Sequence, residues 1–219
     1  MKTQTEELEK EVNKILDRFD SMQNQKFAEM VNHLVDSGIK VPEKHLNRAI
    51  DYLKPDFAAR LALKAGLVDK AIEIYETGGY YANAATTAQA FGLIDRAISI
   101  WEKHGCFVEA AVTAKKAKSD RATELYLKAI AIDEKAGRYG IAADLAKDAG
   151  LTEKVIDLYE KNGQFYHAAE AAVKAGLLER AVEDYVTAKH FSLAALYGKK
   201  IGLPEDKIKL YEILGDHLR

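Results

Sequence analysis

Apolar positions along this chain fall at helical spacing, in blocks that repeat. In every block after the first an aromatic residue opens a segment with small residues at i, i+1 and i+4, such as Ala84, Ala85 and Ala88, or Ala168, Ala169 and Ala172. That spacing sets the small side chains on one helix face, where a neighbouring backbone can approach closely. A second segment carries larger apolar residues three apart, as in Ile72 and Tyr75, Ile98 and Trp101, or Ile156 and Tyr159. No block shows the two-residue alternation of a half-buried strand, so an all-α fold is predicted.

The blocks keep a common beat. The pair Ala58-Ala59 recurs at Ala84, Ala110, Ala142, Ala168 and Ala194, at intervals of 26, 26, 32, 26 and 26 residues. Leading aromatics follow in register at Tyr81, Phe107, Tyr139, Phe165 and Phe191, and turn glycines at Gly66, Gly92, Gly150, Gly176 and Gly202, with Lys118 in the third slot. Each glycine sits where a helix would end, and the Leu that follows, as in KAGL, can fold back on that helix. The second segment opens on an acid and a base, such as Asp69-Lys70 or Asp95-Arg96, with the acid at the positive end of the helix. A second glycine (Gly79, Gly105, Gly137, Gly163) closes it. Each unit therefore reads as a two-helix hairpin, and six units occupy residues 55–219.

The third unit departs from the beat. Its turn, KAKSDRA, is one residue shorter than KAGLVDKA, and the following LYLKAIAIDEKAGRYG adds seven residues, about two helical turns. A protruding second helix and a local change of curvature are expected there. Residues 1–54 diverge. Leu8, Val12, Ile15, Phe19 and Met22 alternate by four and three, which makes a helix with a narrow apolar stripe. Residues 27–53 read as a degenerate hairpin, with Gly38 near its turn and Pro42 starting its second helix. This segment either caps the exposed end of a stack or pairs chains through a short coiled coil. At the other end ILGDHLR offers little capping sequence, so that face is either an assembly surface or a junction with further chain.

With the helices in place, the units can be compared slot by slot. The Ala62 slot scarcely changes, holding Ala88, Ala114, Ala146, Ala172 and Gly198, as a core position should. The slots of Phe57, Arg60 and Leu63 vary freely and share one side of the first helix. Their polar occupants Asn83, Thr86, Gln89, Glu109, Lys115, Asp144, Lys147, His167 and Glu170 form the candidate partner-binding face, with an ordinary solvated surface as the alternative. One slot stands out: Asp184 takes a position otherwise filled by Ile74, Ile100, Leu125, Leu158 and Leu210. A carboxylate there is costly if buried alone, so either the slot is exposed in that unit or a base such as Lys189 pairs with it.

Composition adds limits rather than chemistry. Thirty-two basic and 34 acidic residues leave a net charge of −2, which argues against a dedicated nucleic-acid or anionic-membrane surface. The lone cysteine, Cys106, excludes an internal disulfide framework, suits a reducing compartment and occupies a variable loop. The start MKTQTEELEKEV is too charged for a signal peptide, and no run nears the roughly 20 apolar residues a membrane helix needs. A cytoplasmic location is expected. No two of the six histidines are four residues apart, no H-E-x-x-H is present, and no phosphate-loop, dinucleotide, G-x-S-x-G or kinase signature occurs. No catalytic, cofactor-binding or metal-ligating residue is assigned.

The pattern AA-x-x-A followed by G-L, then an acid–base pair, A-I-x-x-Y-E and a glycine, resembles the tetratricopeptide-like superfamily, which includes the hairpins of clathrin and coatomer subunits. Arg121 to Leu151 is also similar to hairpins of the soluble NSF-attachment proteins. The resemblance spans about residues 55–215, but tetratricopeptide units run to about 34 residues and carry a proline missing here, so their peptide-clamping residues do not transfer. It implies an α-solenoid of antiparallel helical hairpins, a right-handed superhelix whose first helices line its concave side, packed as one continuous body. It implies work as a non-enzymatic protein-binding scaffold or adaptor. A self-assembling coat-like protein and a regulatory subunit of a separately encoded enzyme are the alternatives.

Overall fold

A computed structural model describes residues 2–19 and 23–217, with side chains described from Glu6 onward. Met22 of the expected N-terminal stripe lies outside them. The described residues form fifteen α-helices and no strand: α1 (Lys2–Arg18), α2 (Asn24–Asp36), α3 (Glu43–Asp51), α4 (Pro55–Lys64), α5 (Val68–Thr77), α6 (Tyr81–Ala90), α7 (Ile94–Lys103), α8 (Phe107–Lys116), α9 (Ala122–Lys135), α10 (Tyr139–Asp148), α11 (Thr152–Lys161), α12 (Phe165–Ala175), α13 (Leu178–Thr187), α14 (Phe191–Lys200) and α15 (Glu205–His217). None is long and apolar enough to cross a membrane. The leading aromatics Tyr81, Phe107, Tyr139, Phe165 and Phe191 each start a helix, as their column predicts.

The chain divides into two compact units, Met1–Thr113 and Ala114–Arg219. In the first, consecutive helices from α2 to α7 pack each against the next; in the second, α9 to α15 do the same. Loops of a few residues can only return the chain alongside the helix it has left. This neighbour-on-neighbour packing of hairpins is the arrangement of an α-solenoid.

The core is the predicted one. Ala58, Ala59 and Ala62, Ala84, Ala85 and Ala88, and Ala168, Ala169 and Ala172 are buried, as are Ile72, Tyr75, Ile98, Trp101, Ile156 and Tyr159 of the second helices. Leucines in those first-helix slots would hold the hairpins apart. At the end of α4, Gly66 has φ +78°; its N–H donates to the Leu63 carbonyl, and the Leu67 N–H donates to that of Ala62 at 2.8 Å. This closing geometry recurs in the later hairpins, and it forces two lysines into the same left-handed region, Lys118 at φ +55° and Lys189 at φ +60°.

Three expectations are corrected by the packing. First, α9 has 14 residues against 10 in α7 and α11, four more rather than seven. Ser119 to Arg121 form a turn ahead of the helix, because the shortened KAKSDRA segment lacks the Gly-Leu step that starts the others at once. Second, α1 buries Val12 and Leu16, leaving Leu8, Ile15 and Phe19 between 36% and 53% exposed. Polar contacts with the α2–α3 loop and α3 fix that orientation: Lys40 pairs with Glu9 and Lys44 with Asp17, both at 2.6 Å, and Asn13 lies 3.0 Å from the ring of buried His45. Third, Asp184 is not exposed but 95% buried, beside Glu160 and Arg180.

Candidate functional site

The varied slots are exposed or half-buried in both units. In the first unit Asn83, Thr86 and Gln89 line up along α6 and Glu109 sits in the first turn of α8. The Thr86 hydroxyl is already committed, donating to the Ala82 carbonyl at 2.8 Å. Phe57 and Arg60, earlier occupants of the same slots, line a hollow of about 310 Å³ with Leu53 and Lys64.

In the second unit the slots converge. Lys147 from α10, and His167 and Glu170 from α12, line one groove of about 430 Å³ floored by α11. Its floor is Val155 and Tyr159, both buried, and Leu151, Ala171 and Ala175 extend the apolar lining. The Lys147 ammonium lies 4.9 Å from the centre of the Tyr159 ring, close enough for a cation–π contact. The Tyr159 hydroxyl holds that ammonium above the usual lysine range, against the opposing pull of partial burial, and Asp144 at 3.5 Å adds to the rise. His167 leans on the same ring at 5.6 Å. Glu170 accepts a hydrogen bond from the Tyr166 hydroxyl at 3.1 Å, which raises the Tyr166 pKa. Lys174, one turn along α12 from Glu170, also lines the groove and has no ion-pair partner among the described residues.

Five of the nine candidates lie in this unit, and three meet at one groove. Asp144 flanks it, while Lys115 donates to the carbonyl of Asp148 at the end of α10. Lys174, Thr152 and the Tyr159 floor also belong to the groove, though none of them occupies a varied first-helix slot. The signal for the floor was present: Tyr75, Trp101, Tyr126, Tyr159, Tyr185 and Tyr211 form an unbroken aromatic column in the second helices. It reads as core in sequence, and in this unit the small Ala171 lines the groove beside it. One unit later the equivalent residue, Tyr197, stacks on Tyr185 at 5.6 Å.

Elsewhere the second unit holds a carboxyl cluster. Arg180 of α13 pairs with Glu160 at 2.7 Å and with Asp157, both on α11. Asp184, one turn along, keeps one oxygen buried with no hydrogen-bond partner. Burial and the adjacent Glu160 carboxylate push its pKa up to about 6, against the opposing pull of Arg180. Cys106 is half-buried, and burial pushes its thiol up, away from the reactive thiolate. No cluster of three or more metal-ligating side chains occurs among the described residues.

No protein-family model matches the chain, and no curated protein matches it. Among solved structures it is similar to a circular tandem repeat protein with novel repeat topology and enhanced subunit contact surfaces, at 17% identity over 97% of this chain and 50% of that one, with a TM-score of 0.13. The chain thus spans about half the length of that protein, and the fold assignment rests on the helices described above.

Proposed function

We propose that this chain is a non-enzymatic scaffold or adaptor that binds a partner protein through the varied face of its first helices. The observation that carries this is the convergence of Lys147, His167 and Glu170 on one groove with an aromatic floor. Core slots are held nearly constant by packing, whereas these slots differ from unit to unit and share a recess of ligand-binding size.

The test compares affinity capture and mass spectrometry for the native chain and for a variant with Lys115, Lys147 and Glu170 reversed in charge. A partner retained by the native chain and lost by a variant of unchanged helicity and melting supports the reading. Identical partner sets would overturn it.

A second reading, self-association, is favoured by a specific observation. Leu8, Ile15 and Phe19 at one end of the chain, and Leu210 and Ile213 at the other, are large apolar side chains left exposed. Light scattering across a concentration series separates the two readings, since a strict monomer excludes the second.

A further inference from the structure

The outer side of α15 departs from the repeat pattern. The slot of Leu210 is closed in three earlier units, where Ile100, Leu125 and Leu158 are at most 3% exposed, and half-buried at Ile74, whereas Leu210 is 52% exposed. A following hairpin would cover that position. It would not account for Ile213. In the other units that slot holds Thr77, Lys103, Lys128, Lys161 and Thr187, all exposed and polar, yet here it holds an isoleucine that is 56% exposed. Two large apolar residues, one at a stacking position and one at an outward position, are thus exposed side by side.

On α15 the buried residues Ile208, Tyr211 and Gly215 define the inner side, and Leu210 and Ile213 lie opposite, one turn apart. Lys209 and Asp216 flank that ridge on one side, both exposed and neither paired with another described residue. The positions are self-complementary. If two copies of α15 lie antiparallel, with a two-fold axis between residues 211 and 212, Leu210 of each faces Ile213 of the other. The same axis sets Lys209 of each on the same edge as Asp216 of the other, two residues or about 3 Å apart along the helix and within side-chain reach, so the flanking pair can form twice. A parallel pairing would put the two Lys209–Asp216 flanks on opposite edges of the interface, where these pairs cannot form.

We propose that the outer ridge of α15 is a homodimer interface, in which Leu210 and Ile213 pack against Ile213 and Leu210 of a second, antiparallel copy, bordered by two Lys209–Asp216 ion pairs. This rests on the self-association reading and specifies its site and symmetry.

Sedimentation of the full chain over a concentration series should show a monomer–dimer equilibrium. Ile213→Glu should raise the dissociation constant by roughly tenfold or more, since a charge would be trapped in the apolar centre, and leave the far-ultraviolet spectrum unchanged. Lys209→Glu and Asp216→Lys should each weaken dimerisation. Mixed together they should restore it as a heterodimer, since each contact then pairs opposite charges. A Leu8→Glu/Ile15→Glu variant should dimerise normally. Dimers that ignore Ile213→Glu but dissolve in the α1 variant would overturn the α15 interface and leave self-association standing. A strict monomer would overturn both. Failure of the mixture to recover would overturn the antiparallel register.

Discussion

Replacing Asp184 with Asn should stabilise the second unit, and should do so only above the range where the carboxyl is protonated. Asp184 occupies a slot built for Leu or Ile, is 5% exposed, and leaves one oxygen without a partner. Its pKa rises from 3.8 to about 6 in the folded chain, chiefly from burial and then from Glu160. A shift of about 2 units corresponds to about 3 kcal/mol at about 1.4 kcal/mol per unit. The folded state binds this proton more tightly than the unfolded state does. The group's favourable contribution is therefore full below pH 3.8, is lost as pH climbs through about 6, and is absent at higher pH. Asn cannot ionise and is close in size, so the variant should gain up to about 3 kcal/mol at pH 7.5 and almost nothing near pH 4. Paired urea unfolding of both proteins between pH 4 and pH 8 measures this, because other carboxylates cancel in the difference. In a unit of this size the gain should raise the melting temperature at neutral pH by on the order of 10 °C. A difference that stays flat across the pH range, or a loss of stability at pH 7.5, would refute the assignment of Asp184 as a buried, strained carboxylate.

The small-residue face supplies another test. Ala88 and Ala172 are fully buried, so leucine at either should overpack a helix contact and cost about 1–3 kcal/mol, read by thermal melting. Lys118 and Lys189 hold left-handed backbone where the other hairpins use glycine, so Lys118→Gly and Lys189→Gly should each stabilise by about 0.5–1 kcal/mol; a loss of stability would mean those side chains make compensating contacts.

The helices, their order and their cores were legible in the sequence because they rest on local rules. Alanine pairs at a near-constant spacing, an aromatic at five of the six first-helix starts and a glycine at most stops specify hairpins without reference to distant residues, and those boundaries recur in the structure. The column of aromatics was equally visible, but its second role was not. Tyr159 floors a groove beside the small Ala171 of the next helix, whereas one unit later Tyr197 holds that slot and stacks on Tyr185. Likewise the acid and base at each second-helix start read as local electrostatics. The structure shows that several also reach the neighbouring unit, Arg96 to Asp69 at 2.6 Å and Lys154 to Glu134 at 2.7 Å.

The sequence alone determined the all-helical repeat, because backbone capping and 3.6-residue periodicity act over a few residues. Tertiary structure alone decided which side of α1 is buried, how Asp184 is enclosed, and that Lys147, His167 and Glu170 share one groove. Those outcomes depend on which residues three-dimensional packing brings together from different helices. Separation along the chain carries no direct record of that.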